Sequence, residues 1–333
     1  MKALRAGVIG LGVGEQHLRT YRRIPDCDVV AICDINSEKL GEVGDRYGIE
    51  RRFTDWRRLA EAPDIDIVSI CSYDDAHAEQ AIACLNGGKH VMIEKPIALF
   101  RADAAKLCRA WQDSKRSISS NLILRASPRF LKLKHMIEAG EFGELVYLEA
   151  DYLHHILHKI TEGWRGRMAF YCVTYGGGIH LIDLMRWLIG REVEEVCGMG
   201  NKILTRGSRY PYDDLLVNLL RFEGGALAKT TTNFGPARPK FHALNVYGTR
   251  KTFINDTPHA KIFSGDNPED EAQDSSPYPG MEKGDLIPDF VASIREGREP
   301  GVSATDVFRV MDVCFAAWES IEQRRTVKVS YLI

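Results

Sequence analysis

Over the first 120 residues, short continuous apolar runs alternate with amphipathic stretches, and this rhythm restricts the fold more than any other feature. LRAGVIG, CDVVAICD, DIDIVSIC, HVMIEK and SISSNLIL are rich in Val and Ile and too short for helices, as strands buried on both faces are. Between them EQHLRTYRRI, SEKLGEVGDRYG, AHAEQAIACLNGG and ADAAKLCRAWQDS place apolar residues at helical spacing. Strand–helix–strand repetition requires right-handed crossovers and therefore a doubly wound parallel sheet. The spacing predicts an α/β dinucleotide-type domain over residues 1–121.

From residue 122 the rhythm changes. A helix over PRFLKLKHMIEAG precedes a strand over ELVYLEADYLHH, and a further helix covers HLIDLMRWLIG. Then EEVCGMGNKI, DDLLVNLLRFEG, GALAKTTTNFG, KFHALNVYG and KTFINDT follow as strands separated by turn residues, the pattern of antiparallel meanders. A second, α+β domain is predicted over 122–333. The acidic, proline-containing segment 264–280 reads as a surface loop, and a last helix over 303–322 is expected to pack back on the first domain. A chain of 333 residues suits two such domains.

Composition removes several function classes. A formal net charge of -2 offers no basic surface for nucleic acid, and no apolar run reaches the ~20 residues that span a bilayer. The N-terminus enters a strand directly, without a signal-peptide core. Eight cysteines occur without a C-x-x-C pair, several within apolar runs, as reduced thiols in a cytoplasmic protein do.

The turn after the first strand reads GLGVGEQH. Gly10 suits the tight turn, Gly12 lets the backbone approach a pyrophosphate, and Val13 and Gly14 lead into a helix whose N-terminus supplies N–H donors. Glu15 stands where the third glycine of G-x-G-x-x-G is expected, which predicts a slightly altered helix entry. Asp34 ends the second strand about twenty residues on, where its carboxylate would accept ribose hydroxyls and repel a 2′-phosphate. NAD is therefore expected over NADP.

GGKHVMIEKPIAL at 87–99, with GLGVGEQH, HAEQAIA and GGGIHLIDLMRWL, resembles the Gfo/Idh/MocA family of sugar and cyclitol oxidoreductases, and the motifs occur in family order. The resemblance implies a Rossmann domain that binds NAD and a C-terminal domain with a large open, mostly antiparallel sheet. It further implies a homodimer or homotetramer built through that sheet. Glu94-Lys95-Pro96 resembles the signature that brings a lysine beside the nicotinamide, with a cis Lys–Pro bond expected. An ammonium there can bind the developing alkoxide. His180 resembles the histidine that takes the hydroxyl proton. Many relatives carry an aspartate four residues earlier, where this chain has Gly176, so Asp151, Tyr152 or Tyr175 is expected to supply the missing polar group unless Lys95 and His180 suffice. Asp183, one turn after His180, reads as a helix-orienting or structural acid.

SYDDAH resembles the family loop that touches the nicotinamide half. Ser72 and His77 match it, whereas Asp74 replaces an asparagine and is expected to cap the next helix. Asn121 and Arg125 resemble an N-x-x-x-R pair, expected at the carboxamide or the substrate. Further substrate candidates are Tyr152, His155, Trp164 and Arg165, with Arg167 beside them. An arginine fork for phosphate and an aromatic for a sugar face point to a phosphorylated or nucleotide-linked sugar, oxidised at C3. HHILH would place His154 and His158 on one helix face, but hydride transfer needs no metal and none is expected. Two other readings stay open: a non-catalytic NAD-binding sugar sensor, and a redox-neutral lyase or glycosidase that uses bound NAD.

Overall fold

The structure is a computed structural model and describes residues 3–267 and 269–333. The chain divides into two compact units: residues up to Ile123 with Glu282–Arg309 and Leu332–Ile333, and Leu124–Met281 with Val310–Tyr331.

The first unit contains β1 (Leu4–Ile9), α1 (Gly14–Tyr21), β2 (Cys27–Cys33), α2 (Ser37–Tyr47), β3 (Arg52–Phe53), α3 (Arg57–Ala60), β4 (Ile67–Ile70), α4 (His77–Asn86), β5 (His90–Ile93), α5 (Arg101–Ser114) and β6 (Ile118–Ser120). Its six strands lie in the order β3-β2-β1-β4-β5-β6, all parallel. The order reverses beside β1, and ligands of such sheets bind beyond the strand C-termini at that reversal. Local chemistry sets the element ends. The Asn36 side chain accepts the Lys39 N–H to cap α2, and Gly48 closes that helix with φ +64°.

The second unit contains α6 (Pro128–Glu138), β7 (Leu145–Leu153), α7 (His158–Thr161), α8 (Ile179–Ile189), β8 (Val193–Asn201), β9 (Leu215–Phe222), β10 (Leu227–Asn233), β11 (Phe241–Gly248), β12 (Lys251–Ile254), β13 (Ala260–Ser264) and β14 (Glu271–Asp274). The helices α9 (Ile287–Glu296) and α10 (Ala304–Gln323) and the short β15 (Val327–Lys328) follow. The nine strands run β14-β13-β12-β11-β7-β10-β9-β8-β15, antiparallel except for β7 beside β10. Side chains alternate across this sheet. Leu148, Ala150, Tyr152, Leu216, Leu220, Ala228, Leu244 and Val246 are buried on one face, whereas Leu219 and Leu227 stand exposed on the other.

Two expectations change. The segment Glu282–Arg309 groups with the first unit, because Ile287, Phe290 and Val291 of α9 complete a core with Val8, Leu18, Tyr21 and Met92. Residues of α10 up to Arg309 belong there too, with Phe308 5.7 Å from Trp111 between ring centroids. The stretch 264–280 is not wholly loop: Glu271–Asp274 pairs with β13, while Pro268 lies outside the described residues.

Candidate active site

The first unit's share of the site begins at the glycine turn. Gly10 takes φ +82°, and a Cβ there would fall within 2.6–2.7 Å of the Cys71 carbonyl carbon and the Ser72 nitrogen, so no other residue fits. A Cβ on Gly12 would meet nothing within 4 Å, which leaves the backbone open to an approaching ligand. Gly14 performs the packing expected of the third glycine: a Cβ would stand 2.8 Å from Val8 Cγ1 and 3.3 Å from Cys71 Cβ. Glu15 is therefore released from that duty and pairs with Lys39 and Arg46, with Tyr47 donating at 3.1 Å. No side chain caps α1 at Val13, so its first-turn amides suit a pyrophosphate.

Asp34 accepts the Leu11 N–H at 2.7 Å through Oδ2 and the Asn36 N–H at 2.9 Å through Oδ1. Each oxygen keeps a lone pair for a ribose hydroxyl. The open glycine backbone, the uncapped helix and this carboxylate fit NAD.

Beyond β5, Glu94 and Lys95 are buried and the Lys95–Pro96 bond is cis. Behind them lies a buried polar network. Asn121 Nδ2 donates to Glu94 Oε1 at 2.6 Å and to the Lys283 carbonyl at 3.0 Å. His17 Nε2 stands 3.4 Å from the same Glu94 oxygen, and its Nδ1 is 3.1 Å from Ser69 Oγ, which Tyr21 also reaches at 3.0 Å. Burial alone would push the Glu94 carboxyl up. The Lys283 ammonium, the His17 hydrogen bond and the Lys95 charge instead hold it well below the usual carboxylate range. Asn121 thus anchors Glu94, and its amide nitrogen is not offered to a carboxamide as expected.

His77 is likewise a clamp. Its Nδ1 lies 2.7 Å from the Pro96 carbonyl and its Nε2 3.2 Å from that of Ser72, so the ring ties two loops together instead of facing a cofactor. Ser72 Oγ donates to Gln80 at 2.7 Å. Asp74 does not cap α4, whose N-cap is Ala76 without a side-chain bond.

In the second unit, Thr174–Gly178 forms a π-helical turn leading into α8, and its three glycines admit neighbouring side chains against bare backbone. A Cβ on Gly177 would stand 2.7 Å from the Tyr152 ring, and one on Gly178 would meet Thr232 Oγ1 at 2.5 Å. The approach lets the Tyr152 ring stack on His180, with centroids 6.4 Å apart and planes at 16°. Tyr152 Oη is 3.2 Å from His154 Nδ1, and burial pushes its phenol up to about 12 despite the opposing Arg165 charge. His242 meets the same ring edge-on at 5.4 Å. Tyr152, His154, His180 and His242 therefore form one aromatic cluster.

Several expected substrate contacts are otherwise engaged. Arg125 grips Asp183 through two bonds of 2.9 and 2.6 Å in near-complete burial, a fork fully used by its partner. The Arg165 guanidinium lies 4.1 Å over Trp164 and 5.5 Å over Tyr171, and Arg167 donates to the Glu162 carbonyl at 3.3 Å, so neither is arranged as a phosphate clamp. His155 is exposed with Nδ1 3.2 Å from the Pro236 carbonyl. His154 and His158 share no helix face, because β7 ends at Leu153 and α7 begins at His158.

Sequence reasoning missed His17, Lys283 and His242. His17 sits with Leu18 and Tyr21 on the buried side of α1, and His242 occupies an inward strand position in line with Leu244 and Val246. A histidine on an apolar face was the available signal. Lys283 carried none.

Two family models match the chain. One, described as "Oxidoreductase family, NAD-binding Rossmann fold", covers residues 4–122, and the GFO/IDH/MocA C-terminal domain covers 130–254. The chain is 28% identical over 344 residues to myo-inositol 2-dehydrogenase of Thermotoga maritima, covering 99% of this chain and 100% of that one. It is 26% identical over 287 residues to levoglucosan dehydrogenase of Pseudarthrobacter phenanthrenivorans, covering 76% and 74%. A solved levoglucosan dehydrogenase in complex with NADH shares the fold with TM-score 0.88 at 24% identity, over 99% of this chain and 100% of that one. A probable dehydrogenase from Thermotoga maritima matches with TM-score 0.82 at 26% identity, over 98% and 99%.

Proposed function

The chain belongs to the Gfo/Idh/MocA oxidoreductase family, and on that premise we propose that it oxidises a ring hydroxyl of an unactivated polyol or sugar with NAD. The observation that carries this reading is the pairing of an NAD-type glycine turn and Asp34 with a buried Glu94-Lys95-cis-Pro96 loop in the same unit. The named dehydrogenases it is similar to act on myo-inositol and levoglucosan, neither of which bears a nucleotide. The engagement of Arg165 with two aromatic rings agrees with such a substrate, so the expected nucleotide-linked sugar and C3 position are not carried forward.

Gly10, Gly12, Val13, Gly14 and Asp34 would hold NAD, which supplies the hydride acceptor when bound. The Lys95 ammonium binds the alcohol oxygen and stabilises the negative charge that develops there. His180 takes the hydroxyl proton at a ring nitrogen, and in the reverse direction returns it. The half-exposed sheet face bearing Met199, Val217, Leu219 and Leu227 is the surface through which copies associate.

A panel of polyols, free sugars and nucleotide sugars, followed at the NADH absorbance band, tests the reading. Net NADH with a polyol or free sugar is expected. NADH formed only with nucleotide sugars would overturn the substrate class, and substrate consumed without NADH would point to the redox-neutral alternative.

A further inference from the structure

Glu15 stands in the first turn of α1, and its carboxylate ties that helix to α2. One oxygen, Oε1, meets the Arg46 guanidinium and accepts the Tyr47 hydroxyl at 3.1 Å. The other, Oε2, lies 3.1 Å from the Lys39 ammonium. Arg46 and Tyr47 thus fix a carboxylate whose side chain is only 15% exposed, and Lys39 is drawn onto it.

Lys39 also belongs to the ribose-reading end of the sheet. Its main-chain N–H donates to Asn36 Oδ1 at 3.0 Å, and the Asn36 N–H donates to Asp34 Oδ1 at 2.9 Å. Two hydrogen bonds therefore link the first turn of α2 to the carboxylate that selects between ribose 2′-substituents. Dinucleotide sites of this kind that accept a 2′-phosphate place a basic side chain beside that point. This chain carries one there and turns it onto Glu15. Arg57, just beyond β3, is likewise engaged, with Asp55 and Glu79.

We propose that Glu15 is a determinant of cofactor choice: it engages Lys39 so that this ammonium is not offered to a 2′-phosphate. Exclusion of that phosphate then has two parts, repulsion by Asp34 and neutralisation of Lys39 by Glu15. The division gives residue 15 a task of its own once Gly14 has taken over the packing of the third glycine. The inference rests on the assignment of Gly10, Gly12 and Asp34 to NAD above.

Adenosine 2′,5′-bisphosphate and adenosine 5′-monophosphate differ only in the 2′-phosphate, and calorimetric titration of the full chain with each tests the proposal without any substrate. The readout is the ratio of their dissociation constants. Asp34→Asn is expected to move it toward the bisphosphate about tenfold, by removing a charge. Glu15→Gln, which keeps the shape of the side chain, should move it about three- to tenfold further in that background. Lys39→Met should cancel this second gain, yet change the ratio by about twofold or less while Glu15 is present. A gain that survives Lys39→Met overturns the inference. So does a full-sized loss on Lys39→Met with Glu15 intact, an outcome that needs no Glu15 variant. A ratio that responds to Asp34 but not to Glu15 overturns the inference and leaves the Asp34 assignment standing, whereas a ratio indifferent to Asp34 overturns both.

Discussion

His90, at the start of β5, accepts the Ser117 main-chain N–H at Nδ1 over 3.0 Å, a bond that only the neutral ring can make. Burial, with the Arg116 charge adding to it, brings its pKa from 6.5 down to about 4. Between those values the unfolded chain binds a proton that the folded chain refuses. The contribution is therefore complete above about pH 6.5 and drains away as pH falls toward 4. Urea melts should show stability falling by about 2 kcal/mol over that interval, allowing for solvent screening of a partly exposed ring. His90→Asn, which can keep an acceptor oxygen, should flatten that dependence; an equally steep profile in the variant would place the titration elsewhere. Lys95 shows the limit of reading single residues from sequence. Its motif was legible, but the partners that keep its neighbour Glu94 charged come from α1, the residue after β6 and the segment before α9, far apart in the chain.

At the scale of elements, the turn Thr174–Gly178 is a packing device as much as a helix entry. Gly177→Ala would drive a methyl into the Tyr152 ring, 2.7 Å away, and displace the ring stacked on His180. Overpacking of this kind costs about 1–3 kcal/mol. Thermal denaturation should show that loss together with reduced turnover, whereas Gly190→Ala, at a helix end with φ +68° and open space, should cost stability alone. The elements themselves were largely readable. β1, β2, β4, β5 and α2 fall where apolar runs and helical spacing put them, because those strands are continuous apolar runs between turn residues and α2 is eleven residues long. β3, α3, α7 and β13 carry no such run, and their tertiary surroundings form them. The π-helical turn was invisible for a different reason: three glycines state what they permit, not which rings will fill the space. Likewise Arg125 looked like a substrate ligand until Asp183, 58 residues on, was found in its fork.

For the whole molecule, two compact units with interleaved segments explain why a single cut in the sequence misplaced α9. Its apolar side matches a core assembled from residues of β1, α1 and β5 far earlier in the chain, which local composition does not reveal. The second unit's sheet leaves Met199, Leu219 and Leu227 exposed on one face, beside an ion-paired row of Glu149, Asp151 and Lys229. This is the face proposed above for association between copies. Leu219→Arg should leave the circular dichroism spectrum intact and convert the assembly to monomers in light scattering. An unchanged mass for the variant, or a monomeric wild type, would remove that face from the account.

The central claim is net hydride transfer from a carbinol carbon with Lys95 holding the oxygen. A polyol substrate carrying deuterium at its carbinol carbons, incubated with the enzyme and NAD, tests it most directly when the reduced nicotinamide is recovered and its mass measured. The account predicts one deuterium per reduced cofactor, one ketone formed for each, and a rate for Lys95→Met lower by about a hundredfold or more. Deuterium retained wholly in the sugar product, or a Lys95→Met variant that turns over at the wild-type rate, would contradict it.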